Sequence, residues 1–365
     1  MNVPKLRFKE FNDEWNDKCL NDIASITMGQ SPNSKNYTSN KNDTILIQGN
    51  ADLNEGHVVP RLFTTQVTKT CNINDILMTV RAPVGDIAIS EYNACIGRGV
   101  CSISGDKYIY HYLDYLKTKD YWKKISKGST IDSITSNDIK KLRIKFPNND
   151  ESKKIVKTMD LLNKKIELQI KKLEDLKLFT KKLETQYIFN SNNEYNKKRI
   201  DEIFNVKTGG DLNKSNISFI KTPLFCYPIY SNNLEMNGLY GYSDIYKIEE
   251  ESITVTGRGD IGKAIKREGK YYPIVRLLVL IPKISVNLIY MQEAINNLKL
   301  IQESTGVPQL TAPQISKYKV SYPTLDIQNK YGDILLLLQE KIRYEIRKIE
   351  KLHQQKKGLM QQMFV

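Results

Sequence analysis

The chain repeats itself, and the size of the repeat limits what it can fold into. Residues 20–30, LNDIASITMGQ, align with residues 200–210, IDEIFNVKTGG, at an offset of 180. Residues 78–85, MTVRAPVG, align with 255–262, VTGRGDIG, at an offset of 177, which pairs Thr79 with Thr256, Arg81 with Arg258 and Gly85 with Gly262. Thr135–Pro147 then align with Thr311–Pro323 at an offset of 176. That offset runs on without a gap, so that Lys165-Ile166 meets Lys341-Ile342 and Ile170 meets Ile346. A period of this length is the size of a domain and not of a solenoid unit. The expected organisation is therefore a duplication: a globular domain over 1–150, a long helix over 151–187, a second globular domain over 188–326 and a second long helix over 327–365.

Each globular part reads as a mixed, strand-rich α/β domain, giving an α+β chain overall. Short apolar runs are bounded by Gly, Pro, Asn and Asp: Thr44–Ile47, Ile76–Val80, Ile87–Ser90, Ile253–Thr256 and Leu277–Ile281. Helices are expected over Tyr108–Lys124 and Ser285–Leu300, and the Asn-rich stretch Ser31–Asp43 reads as an exposed loop.

The two long helices carry a heptad seam. In the first, Ile155, Met159, Leu162, Ile166, Leu173, Leu176, Leu183 and Tyr187 recur at spacings of 3 and 4, with Gln169 and Thr180 as polar interruptions. In the second, Tyr331, Leu335, Leu338, Ile342, Ile349, Leu352, Leu359 and Met363 follow the same track, interrupted at Glu345 and Lys356. Neither helix can bury its stripe alone. Each could lie on its own domain. Matching interruptions at matching heights favour pairing with each other, and chain order would make that pair antiparallel, a rod of roughly 55 Å at 1.5 Å per residue.

The charge balance points to an acidic partner. There are 55 Lys+Arg against 41 Asp+Glu, a net charge of +14. The two helical spans carry +8 of it and the much longer globular parts only +6. Nucleic acid is the first candidate, and acidic partner subunits are another. Five widely spaced cysteines without a CxxC pair argue against a zinc ribbon or a disulfide framework. No secretory signal or membrane span is expected, because the longest apolar runs, Leu277–Ile281 and Ile334–Leu338, are five residues each. The expected location is a reducing cytoplasm.

Motifs that suggest catalysis dissolve on inspection. Gly257-Arg-Gly-Asp-Ile-Gly262-Lys263 matches a dinucleotide fingerprint and most of a phosphate-binding loop, but Ala264 stands where that loop needs Ser or Thr. The following AIKREGKYYP reads as strand and turn, whereas both motifs must open a helix. The first copy has Arg81-Ala-Pro-Val-Gly85 there, so a tight turn presenting an arginine fits both copies. Asp260 with Glu268-Gly-Lys270 mimics nuclease spacing and has no counterpart in the first copy. His57, His111 and His353 are scattered, and no catalytic or metal constellation is expected. A DNA reader suits the remainder: Arg81 and Arg258 on equivalent turns, where a guanidinium can address guanine with two hydrogen bonds. Gln30, Ser31, Thr65, Gln66, Ser129, Thr130, Lys207, Ser304, Thr305 and Gln309 recur near glycines and suit phosphates and base edges.

At this point the chain resembles the specificity subunits of type I restriction-modification systems. The resemblance rests on the opening Pro4-Lys5-Leu6-Arg7-Phe8 with Phe11 and Trp15, and on Met28-Gly29-Gln30-Ser31-Pro32 and Thr208-Gly209-Gly210. The two arginine turns, the Thr…Ile…Pro stretches before each helix and the ending Lys357-Gly358-Leu359-Met360-Gln361-Gln362-Met363-Phe364 complete it. The resemblance implies two target-recognition domains related by a pseudo-twofold repeat, each reading half of a split double-stranded DNA target. It implies helices that set the gap and dock two methyltransferase subunits, to which nuclease/translocase subunits attach. It also implies a chain that binds no cofactor, with S-adenosylmethionine, ATP and Mg²⁺ held by those partners. A self-sufficient nuclease and a coiled-coil adaptor without sequence-specific DNA binding stay open as alternatives.

The heptad seam generates a first prediction. Adding seven residues to each long helix keeps Leu162, Ile166, Leu173 and Leu176 in phase with Leu335, Leu338, Ile342, Ile349 and Leu352. It lengthens each helix by about 10 Å. The gap between half-sites preferred in a DNA-binding screen should then grow by about three base pairs, with lower affinity because DNA also rotates over that distance. An unchanged optimum in a folded variant would show that the helices do not set the spacing.

Overall fold

The computed structural model describes residues 3–126, 133–188, 195–300 and 309–365. It divides into two compact units, Met1–Ile170 with Arg347–Val365, and Lys171–Ile346. Both long helices, Asn149–Ile188 and Leu325–Met363, therefore contribute to both units.

In the first unit an antiparallel four-stranded sheet runs in the order Ile87–Ile89, Ile76–Thr79, Val100–Gly105, Ala24–Met28. The second unit repeats it with Ala264–Arg267, Ser252–Val255, Leu278–Pro282 and Phe204–Thr208. Each apolar run ends where Gly, Pro or a polar pair breaks it, so the expected strands are present within a residue or so. A smaller sheet flanks each: five strands including the parallel pair Thr44–Ile47 and Ala94–Ile96 in the first unit, three including Tyr227–Tyr230 parallel to Tyr272–Pro273 in the second. A helix covers each main sheet. Lys107–Thr118 is capped by Asp106, whose carboxylate accepts from the Tyr108 N–H at 2.7 Å. Leu288–Asn296 is capped by Asn287. The helix expected over Tyr108–Lys124 is broken in two because Asp120 is left-handed, and it resumes at Tyr121–Ser126.

The Thr…Ile…Pro stretches fold alike. Thr135 N–H donates to Asp138 and Thr311 N–H to Gln314, both at 2.8 Å, closing a capping box on a short helix that buries Ile139 or Ile315. A strand follows, Arg143–Phe146 or Lys319–Tyr322, and pairs with the strand that opens its unit, Asn16–Cys19 or Asn196–Arg199.

Pieces of the two long helices meet inside each unit, and they also pack on the domains. In the first unit Ile155 and Met159 share a core with Met360, Met363 and Phe364. Phe364 packs against Tyr108, Tyr112 and Tyr115, with ring centroids 5.5, 6.1 and 5.6 Å away. In the second unit Lys172 pairs with Glu345 at 2.8 Å. The beginning of one helix thus meets the end of the other, which is the antiparallel sense. Ile166, Leu173, Leu335 and Leu352 are buried, and Leu162, Leu176, Leu338, Ile342 and Ile349 half-buried. The side chain of Tyr187 lies outside the described residues. The positions expected as interruptions belong to the seam. Gln169, Thr180 and Glu345 are buried, and Lys356 reaches Asp114 at 2.7 Å.

The opening segment is clamped to the first turn of the central helix. Arg7 donates Nε and Nη2 to the two oxygens of Glu151 at 2.7 and 2.8 Å, and Trp15 Nε1 adds a third bond at 3.0 Å. The Glu151 side chain is 1% exposed. Truncating one member of a desolvated, bidentate pair strands the other charge. Arg7→Ala should therefore destabilise the first unit by about 3 kcal/mol in denaturant unfolding, and a loss no greater than that of an exposed arginine would refute the clamp.

Candidate nucleic-acid interface

The arginine turns are built by the same bonds in both units. In the first, the Thr79 hydroxyl donates to the Pro83 carbonyl at 2.7 Å and accepts from the Asp86 N–H at 2.9 Å. In the second, the Thr256 hydroxyl donates to the Asp260 carbonyl and accepts from the Lys263 N–H at 2.9 Å. Gly85 N–H reaches the Thr79 carbonyl at 2.9 Å, and Gly262 N–H the Thr256 carbonyl at 2.8 Å. Both glycines are left-handed, at φ 84° and 85°, and an added Cβ would strike Trp122 or Leu300. A strand follows Gly262-Lys263, so no helix N-terminus faces the glycines as a phosphate loop would require. The nuclease-like trio is not gathered either: Glu268 pairs with Lys266, and Lys270 with Glu249.

The turn stands at one end of the main sheet, where three strands converge. Ala24–Met28 and Ile76–Thr79 end there, and Val100–Gly105, antiparallel to both, begins there. Gly29 N–H donates to the Val100 carbonyl at 3.0 Å, Gln30 N–H to Ile96 at 2.9 Å, and Val80 N–H to Gly99 at 2.9 Å. This brings Gln30, Ser31 and Arg81 to a shared edge with Arg98, which sequence reasoning missed. The Ser31 hydroxyl accepts from the Arg98 N–H at 3.1 Å. Gln66 stands beside them, its amide oxygen accepting from the Asn33 N–H and the Asn36 side chain at 2.9 and 2.7 Å. Thr65 is exposed next to it, and Ser129 and Thr130 lie outside the described residues.

The second unit repeats the arrangement. Gly209 N–H donates to the Leu277 carbonyl at 2.7 Å and Gly210 N–H to Pro273 at 3.0 Å. Leu310 N–H reaches the Gly257 carbonyl at 2.9 Å, as Ile134 N–H reaches that of Val80. Asn232 ties the edge together, accepting from Gly257 N–H at 2.7 Å and donating to the Val275 carbonyl at 2.8 Å. Arg258 is half-buried, and its Nε has no hydrogen-bond partner among the described residues. Arg276, also missed from the sequence, donates Nη1 to the Gln309 amide oxygen at 3.0 Å. Lys207 is exposed on the edge strand just before Gly209. Ser304 and Thr305 lie outside the described residues.

The arginines sort by charge partner. Arg7, Arg61, Arg143 and Arg199 are ion-paired with carboxylates. Arg267 is buried over the Tyr230 ring, its centre 3.7 Å from the centroid, and burial lowers its pKa. The remaining arginines of the globular parts, Arg81, Arg98, Arg258 and Arg276, show no ion pair among the described residues, and all four stand at this edge. Such an edge offers guanidinium donors to an acidic ligand without first breaking a salt bridge.

Comparison with known proteins is consistent across the chain. The model of the type I restriction modification DNA specificity domain matches residues 12–178 and again 192–354. The chain belongs to this DNA specificity family. A Methanocaldococcus jannaschii protein named as the MjaX type I restriction enzyme specificity subunit is 33% identical over 164 residues, covering 43% of this chain and 38% of that protein. The type I restriction-modification system S subunit from M. genitalium has the same fold over 100% of this chain and 99% of that one, with a TM-score of 0.69 at 18% identity. A structure titled for complex assembly and conformational transition of a type I system covers 95% of this chain and 96% of its own, with a TM-score of 0.59 at 14% identity. The family's specificity domain thus accounts for both globular units and most of both long helices.

Glycine at position 29 is required by close backbone approach. A Cβ there would lie 2.1 Å from the Gly97 oxygen and 2.6 Å from that of Val100. Gly29→Ala should destabilise the first unit by about 1–3 kcal/mol and disturb its edge. Gly259→Ala, at φ 69° with nothing within 4 Å, should cost only about 1 kcal/mol of backbone strain. Thermal unfolding of the two variants checks the order.

Proposed function

We propose that this chain is the DNA-reading subunit of a type I restriction-modification complex. Two recognition domains, 1–150 and 188–326, each read one half of a split, asymmetric double-stranded target. The observation that carries this reading is the duplicated edge: the same threonine-locked turn carrying Arg81 or Arg258, with a second carboxylate-free arginine beside each, bordered by different loops. Two copies of one frame on one chain suit two unlike half-sites, as two identical subunits suit a palindrome. Arg81 and Arg258 would address bases, with Gln30, Ser31, Thr65, Gln66, Lys207 and Gln309 on neighbouring bases and phosphates.

On this reading the chain is not catalytic. Methyltransferase subunits supply S-adenosylmethionine chemistry, nuclease/translocase subunits supply ATP- and Mg²⁺-dependent cleavage, and the complex works on cellular DNA in the cytoplasm. The long helices support a partner role, because each keeps a second apolar row uncovered: Leu161, Leu168 and Phe179 on the central helix, 62%, 57% and 52% exposed, and Leu337 and Tyr344 on the distal one. Exposed apolar residues 7 and 11 apart on the central helix, and 7 apart on the distal one, fall on one side of each helix and suit the apolar face of another helix. Among the described residues no helix is long and apolar enough to cross a membrane.

The test is to map methylated adenines in DNA from cells expressing this chain with its methyltransferase subunits. A split motif is expected. Arg81→Ala should degrade one half and Arg258→Ala the other, each by about 1–3 kcal/mol of discrimination. Neutralising Lys164 or Lys171 should weaken binding to all sequences and flatten its salt dependence where they meet phosphates. Methylation or cleavage by the purified chain alone would overturn the non-catalytic reading.

A further inference from the structure

We propose that Arg98 and Arg276 are specificity-determining residues, each reading a base edge beside Arg81 or Arg258. The proposal rests on the DNA-reading function above and adds a second arginine to each half-site. Both residues are exposed, and neither makes an ion pair among the described residues. Both sit where the middle strand of the main sheet begins, facing the turn that carries the other arginine. In the first unit Thr79 pairs with Val100, and the bond from Val80 N–H to the Gly99 carbonyl extends that register towards Arg81 and Arg98. In the second unit Val255 pairs with Leu278, and a Cβ on Gly257 would lie 2.5 Å from the Arg276 oxygen.

The backbone under each arginine is fixed before any ligand arrives. Arg98 stands between Gly97 and Gly99; a Cβ on Gly99 would lie 2.2 Å from the Gln48 oxygen, and Ser31 holds the Arg98 N–H. Arg276 is left-handed at φ 63°, a conformation that glycine adopts freely and a side chain adopts at a cost. The units are one place out of step here. Gly97 N–H bonds to Ile47 as Ile274 N–H bonds to Tyr230, which sets Arg98 against Val275 and Arg276 against Gly99. Along a regular strand a shift of one residue turns a side chain to the other face. The left-handed residue breaks that alternation at the strand's start. A left-handed backbone at a residue that is neither glycine nor asparagine carries a strain that glycine would avoid, and against it this side chain sets one hydrogen bond to a neutral acceptor. What it adds is an exposed guanidinium, held through one Nη1 bond to Gln309, whose remaining donors suit the two-acceptor edge of a guanine.

The experiment uses the full chain selected against a pool of random duplex DNA, with the bound fraction sequenced. The variants are Arg98→Ala, Arg276→Gly and Arg276→Lys. Arg276→Gly removes the side chain without backbone cost, so its thermal midpoint should equal or exceed that of the parent. Discrimination at one or more positions of one half-site should fall about tenfold or more for Arg276→Gly, and of the other half-site for Arg98→Ala. Arg276→Lys should fail to restore it, because an ammonium lacks the two-pronged geometry. Preserved preferences at both half-sites overturn the proposal. So does an equal loss of affinity for every sequence, which would make these arginines phosphate contacts. A parent chain that selects no sequence at all would instead overturn the DNA-reading function itself, so the two failures are distinguishable.

Discussion

Each long helix carries an apolar row that it cannot cover by itself, and much of the structure answers that requirement. The distal helix has to run antiparallel to the central one, and its last turn then needs a place to end. It ends in the core of the first unit, where Phe364 is enclosed by Tyr108, Tyr112 and Tyr115 and Tyr112 donates to the Val365 carbonyl at 3.0 Å. The opening segment meets it there, with Leu6 N–H bonded to the Gln362 carbonyl at 2.9 Å. The first unit is therefore completed by residues from both ends of the chain. The seam is also not uniformly apolar. Glu345 is fully buried against Lys172, and a buried carboxylate is tolerated only where its partner arrives at the right height. An apolar heptad row can slide by seven residues at little cost, but this one cannot, because sliding strands the charge.

That polar content is where periodicity stops short. A heptad reading scores Gln169, Thr180 and Glu345 as breaks in an apolar row, since it sees spacing and not partners. Lys172 is off the seam in sequence, and only the folded pair shows why the acid belongs there. The arginine turns were legible for the opposite reason: Thr79 and Thr256, Gly85 and Gly262 are demanded by the same local bonds, so they leave matching letters at a fixed offset. Arg98 and Arg276 left no such trace. Equivalent hydrogen bonds set Arg98 against Val275, so any alignment that follows the fold separates the two arginines by one place. The glycines flanking Arg98 were a signal, yet Arg276 has none, because its own backbone takes the left-handed turn. The broken helix at Asp120 was equally hidden, since an apolar period over Tyr108–Lys124 does not register a single left-handed residue.

The edge combines a constant frame with variable borders, and this division has a physical basis. The frame is made of backbone N–H and carbonyl groups, two threonine hydroxyls and glycines that allow strands to approach, all indifferent to which side chains lie outside it. The borders are made by side chains that differ between the units. After Ile47 the first unit closes its loop with Asp52, whose carboxylate accepts from Gln48 and Gly49 N–H at 2.8 and 3.2 Å. After Tyr230 the second uses Asn232, which reaches across to Gly257 and Val275, followed by a turn with Met236 and Asn237 both left-handed. Buried Arg267 braces that turn by donating to the Asn237 carbonyl at 2.7 Å, whereas in the first unit's loop Arg61 donates to the Asp52 carboxylate at 3.0 Å. Such loops can change without disturbing the bonds that hold the arginine turns. On the proposed function, that is how one duplicated frame comes to read two different half-sites: the arginines supply charge and two-pronged donors at a fixed place, and the loops around them decide which bases can approach.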